Sequence, residues 1–306
     1  MALTLDDKLV VGISSRALFD LEEEHALFQK EGLGAYSDYQ IAHENDILKP
    51  GTAFPLIKAL HRLNADGRYL AEIIVMSQNS ADTSLRIFNS IEHYGLNISR
   101  AALVSGSSIA PYLTAFRTDL FLSANEEDVQ EAVNGGVASG IICSHVGLPM
   151  NPEEEIPQIR IAFDGDAVLF SSDSERIFQK GGLQAFSDYE AQKADIPMEE
   201  GPFAKFLKTI AHIQAKFDDQ SSSPIRTALV TSRGAPAHER AIKTLRQWGV
   251  RVDEAFFLGG VSKRDVLSAF GAHIFFDDQM VHAEYAAPLV PSAVVPYRTG
   301  EDPMVK

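Results

Sequence analysis

The sequence predicts an α/β fold built twice in one chain, with a mostly parallel sheet in each half. Two observations predict it. The stretch FQKEGLGAYSDY at residues 28–39 returns as FQKGGLQAFSDY at 178–189, 150 positions on. Further along, IFNSIEHYGL and AIKTLRQWGV set Gly95 opposite Gly249 at a spacing of 154, with a short insertion around 221–224. Matches that keep their order over most of a chain indicate duplication. The second observation is a series of short apolar runs separated by helical patterns, the signature of alternating strands and crossover helices.

In the first half the runs are LVVGIS, EIIVMS, AALVS, LFLSA and SGIIC; in the second they are IRIAF, TALVTS, EAFFLG, HIFFDD and SAVVPY. They are β-branched or aromatic and alternate poorly, as strands buried on both faces do. FPLIKALHRLN (54–64) and FAKFLKTIAHIQ (203–214) carry apolar residues at three- and four-residue spacing and predict helices. In both halves a long helical stretch separates the first strand from the second, too long for a simple crossover. It predicts a small helical cap inserted after the first strand, over the carboxyl ends where open α/β sheets bind ligands. The expected units are 1–150 and 151–306, the second with a cap at about 171–224. A Pro-rich, acidic hinge is expected at 146–158.

Composition narrows the function. The chain has 306 residues, 45% apolar and 23% charged, the balance of a globular protein. No apolar run reaches the roughly 20 residues that cross a bilayer, so no membrane partner is expected. The opening MALTLDDKLVVG has no secretory pattern, and Cys143 is the sole cysteine, which points to a cytoplasmic setting. A net charge of -15 argues against a nucleic acid polymer as partner. It leaves room for a small phosphate ester, which needs only one locally positive spot.

Each strand of the second half ends in groups suited to such a site. After the first, FDGDAV places Asp164 and Asp166 in a turn where Gly165 lets the chain fold tightly around a cation. After the second, VTSRG offers the hydroxyl of Thr231 and the backbone N–H groups of Ser232 and Arg233 to an anion, near a helix start at Pro236. After the third, Lys263 sits near a helix N-terminus, where a lysine is electrostatically misplaced unless an anion is also present. After the fourth, IFFDDQ leaves Asp277 and Asp278 in want of a cation. Taken singly, each could be an acidic turn, a helix cap or a surface lysine. Together they fall at one edge of one sheet.

This series resembles the four signature motifs of the haloacid dehalogenase-like hydrolase superfamily, and Asp166 points to its phosphatase branch. SSRALFDLEEE, AHEN (42–45), FDGDAVLFS, AIKTLRQWG and HIFFDDQM further resemble the cytosolic 5'-nucleotidase I family, from about Leu9 to Tyr297. The resemblance implies duplicated Rossmannoid units and Mg²⁺-dependent hydrolysis of nucleoside 5'-monophosphates, AMP among them. Asp164 would be the nucleophile, forming an aspartyl-phosphate. Asp166 would be the general acid and then base, its backbone carbonyl also meeting the metal. Asp164 and Asp277 would hold Mg²⁺ directly, Asp278 would ligate it through water or orient the site, and Thr231, Ser232, Arg233 and Lys263 would meet the phosphoryl oxygens. A homo-oligomer and a nucleotide activator are compatible with it. So are another small phosphomonoester as substrate, phosphoryl transfer to a second nucleoside, and a nucleotide-sensing regulatory role.

The repeat permits a comparison inside the chain. Asp164 and Asp166 correspond to Ser14 and Arg16, Thr231 to Ser77, Lys263 to Ile109, and Asp277 and Asp278 to Ser123 and Ala124. The first half has lost every acid of the expected metal site. It is expected to act as a scaffold or, through Arg16, Asn45 or Asn79, to meet a nucleotide. Phe170, Phe186 and Tyr189 are candidates for stacking on a base.

Overall fold

A computed structural model describes residues 4–143, 156–217 and 223–302; the expected hinge at 146–158 falls mostly outside them. All ten apolar runs form strands: β1 (Leu9–Ile13), β2 (Ala71–Ser77), β3 (Arg100–Leu103), β4 (Leu120–Ser123), β5 (Ala138–Ile142), β6 (Ile159–Phe163), β7 (Ile225–Thr231), β8 (Glu254–Phe257), β9 (Ile274–Asp277) and β10 (Ser292–Val294). They make one ten-stranded sheet in the order β3-β2-β1-β4-β5-β10-β9-β6-β7-β8. Every pairing is parallel except β5 with β10, where Ala293 faces Ile142. Each half therefore has the same five-strand order, and the two sheets join edge to edge through their fifth strands. At that join the strands of the two halves run in opposite directions.

Burial explains the poor alternation of the strand sequences. β1, β2, β4 and β9 are buried at every residue, because helices cover both faces of the sheet. The largest core cluster draws on both halves, from Leu9 and Phe54 to Phe163 and Phe276. The helix Phe54–Leu60 of the first half touches β6, and the helix Ala204–Gln214 of the second touches β1. The halves thus share a core.

This sharing shortens the expected cap at 171–224. Phe206, Leu207, Ile210 and Ile213 of the helix Ala204–Gln214 are buried in the common core, so that helix is a crossover element. What stands over the strand ends is the helical segment Asp173–Gln192, matched in the first half by Glu22–Ala42. Each is broken in the middle by a glycine with positive φ, Gly182 at 70° and Gly32 at 83°. A side chain would strain both positions, so the repeated glycine creates the bend. Among the described residues no helix is long and apolar enough to cross a membrane.

One pairing at the base of β6 predicts a pH effect. The backbone N–H of Arg160 donates to His273 Nδ1 at 2.9 Å, and the N–H of His273 donates to the Arg160 carbonyl at 2.8 Å. Burial, then the Arg160 charge, lower the imidazole pKa to about 4. The unfolded chain takes up this proton near pH 6.5 and the folded chain does not, so stability falls as pH drops from 6.5 towards 4. The loss attributable to His273 should approach about 3 kcal/mol. Denaturant unfolding at pH 7 and pH 4.5 should show a smaller difference for His273→Gln than for the parent chain.

Candidate active site

The ends of β6, β7 and β9, with the helix that follows β8, bring the expected residues of the second half together. Asp164 follows β6 directly, and its N–H donates to the Phe276 carbonyl at 2.8 Å, which ties it to β9. The chain then makes a wide turn over Gly165–Leu169, closed by the Phe170 N–H on the Gly165 carbonyl at 2.9 Å. A Cβ at Gly165 would lie 3.2 Å from Thr231 Oγ1. Glycine is what lets the Thr231 hydroxyl approach this turn.

Lys263 lies between two of the acids. Its Nζ is 2.9 Å from Asp164 Oδ1 and donates to Asp277 Oδ2 at 2.6 Å. It precedes the helix Arg264–Phe270 and is buried with both partners. Asp277 Oδ1 also accepts from the Gln279 N–H at 2.9 Å and lies 3.5 Å from His282 Nδ1. Asp278 accepts from the Tyr297 hydroxyl. One oxygen each of Asp164, Asp277 and Asp278 can be chosen so that all lie within 4.8 Å of one another.

Three carboxylates and one ammonium leave excess negative charge in a buried place. Burial, outweighing the pull of Lys263, raises the Asp164 pKa to about 7, with Asp277 and Asp166 adding to the rise. Burial, then the charges of Asp164 and Asp277, raise Asp278 to about 8. Burial also works against ionised Asp277, but contacts to His282 and Lys263 prevail and its pKa falls. Burial disfavours the Lys263 ammonium, yet Asp164 and Asp277 together raise its pKa. An all-oxygen donor set short of positive charge suits a hard divalent cation.

The Asp166 carboxylate turns away from this cluster. Arg233 Nε donates to its Oδ2 at 2.8 Å and Arg233 Nη2 to its Oδ1 at 2.6 Å, a two-pronged clamp. The same guanidinium reaches Glu190, which is 0% exposed and also takes Arg240 Nη1 at 3.0 Å and the Ser174 hydroxyl at 2.8 Å. The cap is thereby pinned to the end of β7. Sequence reasoning missed Glu190 and Arg240, as it missed His282 and Tyr297. A signal was there: Arg240 repeats Arg86 at the 154 spacing, and Arg86 Nη1 donates to buried Glu24 at 2.6 Å. The acid, however, comes from a different cap position in each half.

The remaining candidates divide. Thr231 is buried, and its Oγ1 accepts from the Arg233 N–H at 3.2 Å, while Ser232 is exposed. Phe170 is wholly buried and packs on Trp248 at 5.6 Å, which leaves it no face for a base. Phe186 and Tyr189 are half-buried, with Arg233 5.2 Å from the Phe186 ring centre and Arg240 5.5 Å from that of Tyr189. Arg16 and Asn79 line a separate cavity whose lining residues all belong to the first half. They do not lie beside Asp164, and the antiparallel join of β5 with β10 is the reason. Asn45 is exposed in the turn after the first cap segment, outside that cavity.

Human cytosolic 5'-nucleotidase 1B is 40% identical over 292 residues, covering 92% of this chain and 47% of that protein. The chain thus spans about half the length of the curated relative it matches. No solved structure matches it. The family model described as 5'-nucleotidase matches residues 1–302. The chain belongs to the 5'-nucleotidase family, in its cytosolic 5'-nucleotidase I branch.

Proposed function

We propose that the second half is a Mg²⁺-dependent phosphatase of the haloacid dehalogenase-like kind, hydrolysing nucleoside 5'-monophosphates such as AMP in the cytoplasm. The observation that carries the proposal is the convergence of Asp164, Thr231, Lys263, Asp277 and Asp278 from four successive strand ends. Family membership supports the substrate class.

Asp164, Asp277 and Asp278 would hold the ion, with the Asp166 carbonyl. Bound there, Mg²⁺ would neutralise phosphoryl oxygens and offset the surplus carboxylate charge. An Asp164 oxygen attacks phosphorus in line, forming the acyl-phosphate bond as the bond from phosphorus to the 5'-oxygen breaks. Thr231, the Ser232 and Arg233 N–H groups and Lys263 meet the charge that builds on the equatorial oxygens. Asp166 gives its proton to the departing 5'-oxygen, then takes one from the water that attacks the acyl phosphate. Phosphate leaves and Asp164 is restored. Arg233 holds both Asp166 side-chain oxygens, so Asp166 must leave that clamp to reach the 5'-oxygen.

A panel of phosphate esters tests the reading. Nucleoside monophosphates should release phosphate with Mg²⁺ and fall to background in excess EDTA. Sugar phosphates should be turned over with kcat/KM at least about tenfold lower. Faster turnover of the sugar phosphates would reassign the substrate, and no release from any ester would remove the activity.

A further inference from the structure

The first half keeps a cavity of about 410 Å³ where its own strand ends meet its cap. That volume lies in the roughly 300–1,000 Å³ range of small-molecule sites. The repeat shows what has changed there. Four carboxylates at the strand ends of the second half are replaced by Ser14, Arg16, Ser123 and Ala124, while Lys263 becomes Ile109 and Arg233 becomes Asn79. At these six positions the balance passes from surplus negative charge to one arginine among neutral side chains. A metal cage has become a set of hydrogen-bond donors.

Two donor atoms there lack partners. Arg16 Nε and Asn79 Nδ2 are buried without a hydrogen-bond partner among the described residues. Asn79 is held in place by its Oδ1, which accepts from the Tyr36 hydroxyl at 3.3 Å. Ser14 Oγ and Ser123 Oγ accept from the N–H groups of Ala17 and Asn125, which leaves their hydroxyl protons to donate. The acids nearby are engaged: Glu24 with Arg86, Asp128 with Gln78 and, on the exposed side, Glu22 with Arg16. The cap supplies an aromatic wall, Phe28 against Tyr36 with ring centres 5.9 Å apart, and Phe28 is 44% exposed. Buried unpaired donors call for acceptors, and an aromatic wall calls for a flat apolar group.

We propose that this cavity is a second ligand site, which takes an aromatic small molecule carrying an oxyanion and needs no metal ion. Arg16, Asn79 and the two serines would hold the oxyanion, and Phe28 with Tyr36 the ring. The site does not depend on the second half being a phosphatase.

Equilibrium dialysis of the full chain against labelled AMP in excess EDTA tests it, AMP serving as an aromatic group with one phosphate. One AMP should bind per chain. Arg16→Ala should weaken binding at least tenfold, and so should Asn79→Ala, with circular dichroism confirming that both variants are folded. Asp164→Asn should leave this binding unchanged. Adenosine and inorganic phosphate should each bind at least tenfold more weakly than AMP. The proposal is overturned if AMP does not bind in EDTA, or if Asp164→Asn weakens binding while Arg16→Ala does not. Phosphate binding as tightly as AMP would overturn it too. Phosphate release with Mg²⁺, measured separately, reports on the other half alone.

Discussion

Asp164→Asn should lower phosphate release from AMP by at least about a thousandfold while the chain stays folded. The amide has nearly the carboxylate's shape, and the Asp164 N–H that anchors it to β9 is untouched. What is lost is the nucleophilic oxygen and one negative charge for the cation. Stability should move the other way when metal is absent. Burial raises the Asp164 pKa to about 7, so the folded chain binds a proton that the unfolded chain releases near pH 4. The parent chain therefore loses stability from this group as pH rises from about 4 to 7, and Asn removes that loss. Thermal unfolding in EDTA at pH 7.5 should find the variant at least as stable as the parent. In Mg²⁺ the parent should gain several degrees and the variant little, because ligand binding stabilises the folded state by mass action. A variant that turned over normally would end the assignment of Asp164.

The second large effect is structural. Glu190→Ala should destabilise the chain by about 3–5 kcal/mol, because it takes from buried Arg240 its carboxylate and leaves buried Arg233 with Asp166 alone. Arg233 is 3% exposed and Arg240 6%, so water cannot take the carboxylate's place. At roughly 2–4 °C per kcal/mol for a chain of this size, the midpoint should fall by about 10 °C. The repeat suggests its own rescue. The first half carries Gln40 where Glu190 stands and Glu24 where Ser174 stands, and there Glu24 holds Arg86. Glu190→Gln alone should therefore destabilise, and Ser174→Glu added to it should restore most of the loss. Without recovery in the double variant, the exchange of partners between the halves would not account for the difference.

Much of this was legible in the sequence because it is written in local patterns and repeated twice. All ten strands fell on runs long enough and apolar enough to be buried on both faces. The candidate site acids were legible because each stands at or just past the carboxyl end of a strand that is itself legible. Other features depend on contacts between distant segments. The choice of β10 as neighbour for β5 is made by two short edge strands, and neither sequence names its partner. The helix Ala204–Gln214 has the periodicity of a cap helix as much as of a crossover, and only the neighbouring half decides its role. Arg233 was read through its backbone N–H, while its side chain clamps Asp166. Glu190 lies just past the repeated segment 178–189, and its counterpart is the uncharged Gln40, so the repeat gave no sign of the charge.

One half of the duplicated chain should do the chemistry, through Asp164. The most direct test is to quench turnover of AMP labelled in its phosphate within milliseconds, digest the chain and find the label. An acid-stable, hydroxylamine-labile phosphate on the peptide that contains Asp164, absent from Asp164→Asn, is the predicted result. Label on a peptide without Asp164, or turnover with no covalent label at any quench time, would contradict it.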